Sequence, residues 1–254
     1  MSLVHHLDAA AAHVLEAVKR HPIEPSDTAV LIAAFHRAES LAEGAIRAAL
    51  PLVDPLHQAE LAEQLEDERR HVAVFAGWLP SGGRDCGPAS SAQRPAGTWY
   101  ALLLLNELAG FCQFEMLAAQ FLSAAEASSP PDGDASARGL PVARERPEIG
   151  MARQRALAVR GIAEDERRHI ARLVRWVAAL PPSFDGELDR VTARFRQGLE
   201  ARMRQFLPRE ELADLRRAVA AAIDQVIVDV VPRRAAMAAA KHPKRPPGGA
   251  ITTG

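Results

Sequence analysis

Two identical charged hexapeptides carry the residues of this chain that are best suited to bind metal. The segment EDERRH occupies residues 66–71 and returns unchanged at residues 164–169. Within each copy a glutamate and a histidine stand three residues apart, so on a helix both side chains project from one face. Carboxylate and imidazole groups suit iron or manganese. The repeat therefore predicts two metal-binding pairs, Glu68 with His71 and Glu166 with His169.

The repeat extends beyond the hexapeptide in both directions. Downstream, a tryptophan follows each histidine by seven residues. Upstream, the shared pattern FxxxExLA aligns Glu39 with Glu115. The separation from Glu115 to Glu166 exceeds that from Glu39 to Glu68, and the extra length matches the size of a proline- and glycine-rich segment at 126–149. We interpret the chain as two copies of a helix pair, the second with a loop insertion.

Glu39 and Glu115 both lie in mostly apolar helical segments. A carboxylate that faces a core must be paired or metal-bound, because an unpaired buried charge is very costly. A known di-iron or di-manganese site takes one glutamate from each of two helices and one Glu-x-x-His pair from each of the other two. The candidate metal ligands are therefore Glu39, Glu68, His71, Glu115, Glu166 and His169.

Two further glutamates compete for these positions. Glu107 precedes Glu115 by eight residues, about 12 Å along a helix, so both can hardly bind the same metals. The repeat alignment favours Glu115. Glu43, one turn after Glu39, could be a further carboxylate near the metals, although we expect it to be exposed. The metal-free alternative is a duplicated helical hairpin in which these residues form salt bridges to the hexapeptide arginines, which we otherwise assign to the solvated or inter-helix face.

The elements that must position these residues are predicted to be helices almost throughout, because strand-like alternation is scarce and glycine and proline are concentrated in a few places. Helices are expected at residues 3–20, 27–50, 55–79, 98–124, 150–180, 185–206 and 209–239. The connection at 80–97 is long enough to run back along a bundle. We therefore predict an all-α fold, a ferritin-like four-helix bundle with one long crossover and flanking N- and C-terminal helices.

The predicted domain organisation is a single ferritin-like helical domain over residues 1–240. Its core bundle spans 27–180 and its C-terminal helices span 185–239. Residues 241–254 are predicted to form a disordered tail. The flanking helices exceed what a minimal bundle needs, and they could cover a substrate pocket or form a dimer interface.

The composition excludes several classes of protein. The chain is 48% apolar and 25% charged with a net charge of −1, which is typical of a globular protein without general attraction to nucleic acid or to a membrane surface. Neither a signal peptide nor a membrane-spanning segment is predicted. The two cysteines, Cys86 and Cys112, fit a reducing cytoplasm and are too few for a rubredoxin-type iron site.

With its two glutamates and two DExRH motifs, the segment 27–180 resembles the ferritin-like di-iron carboxylate superfamily. Both hexapeptides fit the DExRH form found in the large subunits of bacterial multicomponent monooxygenases. In that family the aspartate accepts a hydrogen bond from a metal-bound histidine of the opposite half. The resemblance implies that Asp67 orients His169 and that Asp165 orients His71. In length the chain is closer to rubrerythrin-like proteins and to small enzymes such as aldehyde-deformylating oxygenase.

The resemblance also implies a function. We expect a non-haem di-iron oxidase or oxygenase in which two iron ions activate O2 to oxidise a small organic substrate, with manganese or a mixed pair as alternative metals. Hydroxylation, N-oxygenation, desaturation and C–C cleavage are all open. The expected partners are the substrate, an electron-donating reductase or ferredoxin, and a second copy of the chain. The alternatives are a ferroxidase, a peroxidase or a manganese-catalase-like protein without organic substrate, and a metal-free accessory subunit of a larger oxygenase.

Overall fold

The computed structural model of the chain is helical throughout its described part, which comprises residues 1–79, 95–127 and 146–231. These residues form eight α-helices and three short 3-10 helices, and none of them lies in a strand. The predicted all-α fold is confirmed. Most of the predicted crossover and of the predicted loop insertion, and all of the predicted tail at 241–254, lie outside the described residues.

The α-helices follow the predicted ones closely except near the C-terminus. They are α1 (Leu3–Arg20), α2 (Pro25–Ala49), α3 (Pro55–Ala76), α4 (Ala96–Ala127), α5 (Pro147–Ala179), α6 (Asp185–Gln197), α7 (Leu199–Phe206) and α8 (Ala213–Val230). The helix predicted at 185–206 is divided at Gly198, where glycine weakens a helix interior. The helix predicted at 209–239 ends earlier, because Val231 is extended (ψ 120°) ahead of a proline, which disfavours the helical conformation.

Proline occupies the first helical position of α2, α3 and α5. There its fixed φ suits the helix, and its missing N–H would have had no partner inside the helix. At the start of α3 the side chain of Asp54 accepts a hydrogen bond from the N–H of Leu56 at 2.9 Å. The chain therefore marks the start of three bundle helices with local signals that can be read from the sequence.

Helices α4 and α5 pack side by side in opposite directions. Tyr100, near the start of α4, lies 5.3 Å from Trp176, near the end of α5. At the opposite end, the guanidinium of Arg155 lies over the ring of Phe121. Helices α2 and α3 form a second antiparallel pair, joined by a short connection.

Helices α3 and α5 also cross in opposite directions. His57 stacks on Trp176 at one end, and His71 contacts Asp165 towards the other. Since α4 is antiparallel to α5 as well, α3 and α4 run in the same direction. The end of α3 at Ala76 and the start of α4 at Ala96 therefore lie at opposite ends of the four-helix arrangement, and a long connection must join them.

The remaining helices cover α4. Helices α1, α6 and α8 pack against it, and α7 packs against α2 and α8. Helix α4 is long and apolar enough to cross a membrane, yet most of its apolar residues are buried inside the molecule. A helix that is apolar on all sides is buried, and α4 is the central core helix of this fold.

Arg216 on α8 fixes the turn that ends α7. Its side chain is only 1% exposed, and it donates hydrogen bonds to the backbone oxygens of Leu207 at 2.8 Å and Arg209 at 3.2 Å. The same guanidinium reaches a carboxylate oxygen of Glu210 at 3.4 Å. This one side chain therefore ties the C-terminal end of α7 to α8.

Replacing Arg216 by methionine should lower the free energy of unfolding by about 2 kcal/mol, because two backbone oxygens lose a charged donor while the apolar stem is kept. Urea denaturation measures the change. The matched control is Arg217→Met, since Arg217 is exposed and its ion-pair partner among the described residues is Asp214. This substitution should change stability by less than about 0.5 kcal/mol. Equal effects of the two substitutions would contradict the role of Arg216.

Candidate metal centre

Four carboxylates and two imidazoles meet in the core of the bundle, and all six side chains are buried. They come from α2 (Glu39), α3 (Glu68, His71), α4 (Glu107) and α5 (Glu166, His169). They form two groups whose potential ligand atoms lie within 4.8 Å of one another, namely Glu39, His71 and Glu166, and Glu68, Glu107, Glu166 and His169.

The first group surrounds the Nδ1 atom of His71, which Glu68 of the second group also approaches. This atom lies 3.1 Å from Glu39 Oε2, 3.7 Å from Glu68 Oε2 and 3.9 Å from Glu166 Oε1. Each of the three glutamates comes from a different helix. One imidazole nitrogen and three carboxylate oxygens thus surround one point of the core.

The second group repeats this arrangement around His169. Its Nδ1 atom lies 3.1 Å from Glu107 Oε2, 3.9 Å from Glu68 Oε1 and 4.0 Å from Glu166 Oε2. Glu68 and Glu166 therefore each present one oxygen to each histidine, whereas Glu107 faces only His169 in the way that Glu39 faces only His71. The cluster has approximate twofold symmetry with two shared carboxylates at its centre.

The far nitrogen of each histidine contacts an aspartate of the other hexapeptide. His71 Nε2 lies 3.0 Å from Asp165 Oδ2, and His169 Nε2 lies 3.0 Å from Asp67 Oδ2. These are the cross-bundle pairs that the family resemblance implies. Because a carboxylate accepts the Nε2–H, Nδ1 is the nitrogen of each ring that is directed into the cluster.

Arg70 and Arg168, which directly precede the two histidines, contact the aspartates that hold those histidines. Arg70 lies 2.6 Å from Asp67 and 3.2 Å from Asp165. Arg168 lies 2.5 Å from Asp165 and 3.6 Å from Asp67. The hydrogen bond from His169 holds the pKa of Asp67 well below its ordinary value, with Arg70 acting in the same direction. These arginines, which we assign from sequence to the solvated or inter-helix face, reach the aspartates of both hexapeptides because α3 and α5 cross.

Glu107, not Glu115, is the carboxylate that α4 contributes to the cluster. Glu115 lies in a groove beside α1 that Arg160 and Arg167 also line. Burial raises the pKa of Glu115, and the charges of the two arginines oppose that rise. The prediction of Glu115 as the metal ligand of this helix does not match the structure. Glu43, the other alternative, pairs with arginines of α2 and α3 outside the cluster.

The positions of these residues along the antiparallel helices α4 and α5 explain why Glu107, and not Glu115, lies in the cluster. In an antiparallel hairpin, residues at the same height lie equally far from the turn. Glu107 is almost as far from the end of α4 as Glu166 is from the start of α5, whereas Glu115 lies about two turns closer to the end of α4. By this criterion the helix bounds predicted from sequence already favour Glu107. The FxxxExLA alignment, which pairs Glu39 with Glu115, indicates the wrong residue of α4.

Gln64 breaks the twofold symmetry and is a residue that the sequence analysis misses. It is fully buried, and its side-chain amide donates a hydrogen bond to Glu107 Oε1 at 2.9 Å. The corresponding residue of the second copy is Ile162. Within the described residues, Glu39 accepts a hydrogen bond from His71 alone. Glu107 is therefore held from two sides, and Glu39 from one.

The charge of the cluster is compensated from within. In the part of the chain that the structure describes, no lysine or arginine forms an ion pair with any of the four glutamates of the cluster. Burial, together with the charge of Glu39, raises the pKa of Glu68 to about 8. Burial and the neighbouring charge of Glu107 also raise the pKa of Glu166 well above its ordinary value. Protons therefore partly neutralise the cluster when it holds no cation.

The two histidines are also held in their protonated forms. Burial lowers the pKa of His71, but its hydrogen bonds to Asp165 and Glu39 outweigh this effect and raise the pKa to about 11. Burial opposes protonation of His169 in the same way, and hydrogen bonds to Asp67 and a glutamate raise its pKa to about 9. These protons occupy the atoms that a metal ion would use.

The residues present fit a pair of divalent cations. Four carboxylates would balance the charge of two such ions, and oxygen and imidazole donors suit iron and manganese. Glu39 and His71 would hold one ion, and Glu107 and His169 the other, with the two central glutamates shared. Both His Nδ1 atoms face the cluster, as this binding mode requires.

A cavity of about 600 Å³ opens from the cluster between α2 and α4. All four cluster glutamates line it, whereas the histidines lie on the side of the α3–α5 crossing. Alanines of α2 and leucines of α4 form much of its wall. Helix α7 completes the wall with Leu199, Met203 and Phe206 and so covers the cavity on this side.

Comparison with known proteins gives no match to a protein-family model, to a curated protein or to a solved structure.

The substitution Glu107→Gln should weaken binding of Mn²⁺ roughly tenfold or more, because it removes a charged ligand from one half of the cluster. Glu115→Gln is the matched control, because this residue lies further along the same helix and outside the cluster. Equilibrium dialysis with metal analysis measures both affinities. A larger loss for Glu115→Gln would restore the assignment made from sequence.

Metal should stabilise the protein more at pH 8 than at pH 6. The metal-free fold raises the pKa of Glu68 to about 8 and of His71 to about 11. A raised pKa contributes stability below the unfolded-state value, and this stability is lost as the pH rises through the folded-state value. Metal binding requires the deprotonated ligands, so metal affinity rises over the same range.

Thermal unfolding with and without Mn²⁺ checks this expectation. The difference in Tm between the two forms should increase from pH 6 to pH 8. A difference that stays constant or shrinks would show that the cluster does not exchange protons for metal.

Proposed function

We propose that the chain is a non-haem di-iron oxidase or oxygenase that oxidises a small organic substrate. The observation that carries this proposal is the contact between the cluster and the cavity, since all four cluster glutamates line a mostly apolar space of about 600 Å³. Small-molecule sites have this size and character. A ferroxidase needs only a path for ions, and an apolar chamber at the metal centre would serve it no purpose.

The helix directions and the ligand set support a relationship to the ferritin-like di-iron carboxylate superfamily. That superfamily combines one long crossover with a glutamate from each of two helices and a Glu-x-x-His pair from each of the other two. Helices α2 and α4 supply the single glutamates here, and α3 and α5 supply the pairs. This relationship makes iron our proposed metal, with manganese as the alternative, in a cytoplasmic protein.

When bound, two ferrous ions supply the electrons that reduce O2. The chain itself fixes the ligands and shapes the space beside them. Asp67 and Asp165 hold the histidine rings in one tautomer and one orientation. The apolar walls exclude water and hold the substrate against Glu39 and Glu107, on the side away from the histidines.

Aromatic side chains close one end of this space. Phe35 on α2 stacks on Phe114 of α4 at 5.0 Å and on Phe75 of α3 at 5.5 Å, and Phe206 of α7 lies 5.1 Å from Phe35. Phe35, Phe114 and Phe206 all line the cavity. The substrate therefore extends from the cluster towards the other end of α2, where smaller side chains line the wall.

Anaerobic loading with ferrous iron, followed by mixing with O2, tests this proposal. We expect about two irons per chain and consumption of O2 by the loaded protein. Glu107→Gln should abolish O2 consumption, and Glu115→Gln should preserve it. Metal analysis and an oxygen electrode give the readouts.

Absence of iron binding, or iron binding without reaction towards O2, would overturn the oxidase or oxygenase proposal. Manganese loading followed by addition of hydrogen peroxide would then test the manganese-catalase-like alternative. Release of O2 in proportion to peroxide consumed would identify that activity.

A further inference from the structure

We infer that the cavity binds an aliphatic carboxylic acid, whose carboxylate pairs with Arg202 at the rim while its alkyl chain lies along α2. The inference names the substrate class of the function proposed above, and as a statement about substrate it rests on that function. Three features carry it, namely the shape of the cavity, the position of its polar residues and the missing partner of Arg202.

The cavity is lined along the length of α2 by small apolar side chains. The alanines on this wall are Ala34, Ala38, Ala42, Ala45, Ala48 and Ala49. Their spacing of mostly three or four residues places them on one face of the helix, and from first to last they span about 22 Å. Trp99, Leu102 and Leu103 of α4 line the same cavity. An apolar wall that extends along a helix in this way suits an unbranched aliphatic chain.

Polar side chains concentrate at one part of the cavity lining. Arg37, Asn106, Arg202 and Gln205 line the cavity and are exposed to solvent, which places them at its rim. Asn106 directly precedes Glu107 in α4. This polar rim therefore lies near the level of the cluster, so a ligand anchored there extends into the space beside the metal ligands.

Arg202 is positioned but has no acidic partner. Its Nη1 atom lies 3.3 Å from the side-chain oxygen of Asn106, and its guanidinium lies 4.2 Å from the ring centroid of Phe195. Within the described residues no carboxylate lies within ion-pair distance of Arg202. By contrast, Arg196 one helix earlier has two hydrogen bonds to Asp224.

A guanidinium held in this way is suited to a planar anion. Its fork of N–H donors matches the two oxygens of a carboxylate, and charge-assisted bonds of this type are about twice as strong as neutral ones. Arg37 adds a second positive charge on the same rim, and it too has no ion-pair partner in the described part of the chain. Positive charge at the mouth of an apolar channel favours an acid whose charged end stays at the rim while its alkyl chain lies inside.

Isothermal titration calorimetry with the Mn²⁺-loaded full chain tests the inference. The probes are the unbranched acids from hexanoic to dodecanoic acid and decan-1-ol as the neutral match for decanoic acid. We expect decanoic acid to bind about tenfold more tightly than decan-1-ol. Affinity should rise about threefold to fourfold for each added CH2 until the channel is filled.

Arg202→Gln should remove the preference for the acid and leave the affinity for decan-1-ol unchanged. Arg194→Gln makes the same change of charge on the preceding helix at an exposed residue outside the cavity lining, and it should keep the preference. The preference of Arg202→Lys for the acid should lie between that of the unaltered protein and that of Arg202→Gln, since lysine keeps the charge and loses the guanidinium fork. The comparison of acid with alcohol in the unaltered protein does not depend on how any variant folds.

Equal binding of acid and alcohol by the unaltered protein would overturn the inference, and so would an undiminished preference in Arg202→Gln. Binding is measured here without turnover, which separates this result from the test of function. A protein that prefers the acids but consumes no O2 would keep the binding site and lose the proposed oxidase or oxygenase function. A protein that consumes O2 without preferring the acids would keep that function and lose this substrate class.

Discussion

The burial of four carboxylates among only two imidazoles is the constraint on which this structure depends. An unpaired charge in a protein core is prohibitively costly, so these groups must share protons with one another and with the histidines, or bind cations. Glu39, Glu68, Glu107 and Glu166 come from four different helices. Whatever neutralises them therefore holds all four helices at one relative height, and the centre of the bundle is fixed by charge as well as by packing.

The antiparallel crossing of α3 and α5 explains why a charged hexapeptide is repeated. An approximate twofold relation between the two helices gives the aspartate, the histidine and the second arginine of each hexapeptide matching contacts with the other copy. The glutamate and histidine face inward, the aspartate holds the opposite histidine, and the second arginine bridges both aspartates. Hydrogen bonding, charge and helix geometry thus favour the same arrangement in both halves.

The two sides of the cluster have different tasks. On the α3–α5 side, aspartates and arginines close the site with a hydrogen-bonded polar layer. On the α2–α4 side, small apolar residues leave a cavity that the four carboxylates line. Helix α7 covers that side, and Arg216 anchors the end of this helix to α8. The cluster is held by polar contacts on one side and faces an apolar space on the other, which is the arrangement that the proposed function requires.

The sequence by itself determined the local features of this protein. Hydrophobic periodicity and proline placement specify the helices, because these signals act over one or two turns. The repeated motif specifies the ligand types on α3 and α5, because a spacing of three residues on a helix fixes a shared face. The predicted bounds of α4 and α5 also place Glu107 at the level of Glu166, although the alignment of the two repeats favours Glu115.

Only the tertiary structure decided which distant side chains meet. Gln64 supports Glu107 across 43 residues of sequence, and Arg202 reaches Asn106 across 96. No periodicity encodes such contacts, since they depend on how helices cross and on which turn of each lies at the same height. The cavity has the same origin, because alanines along α2 leave a space only where the helices opposite fail to fill it. The local sequence therefore determines which side chains can serve as ligands, and the packing of the helices determines what surrounds them.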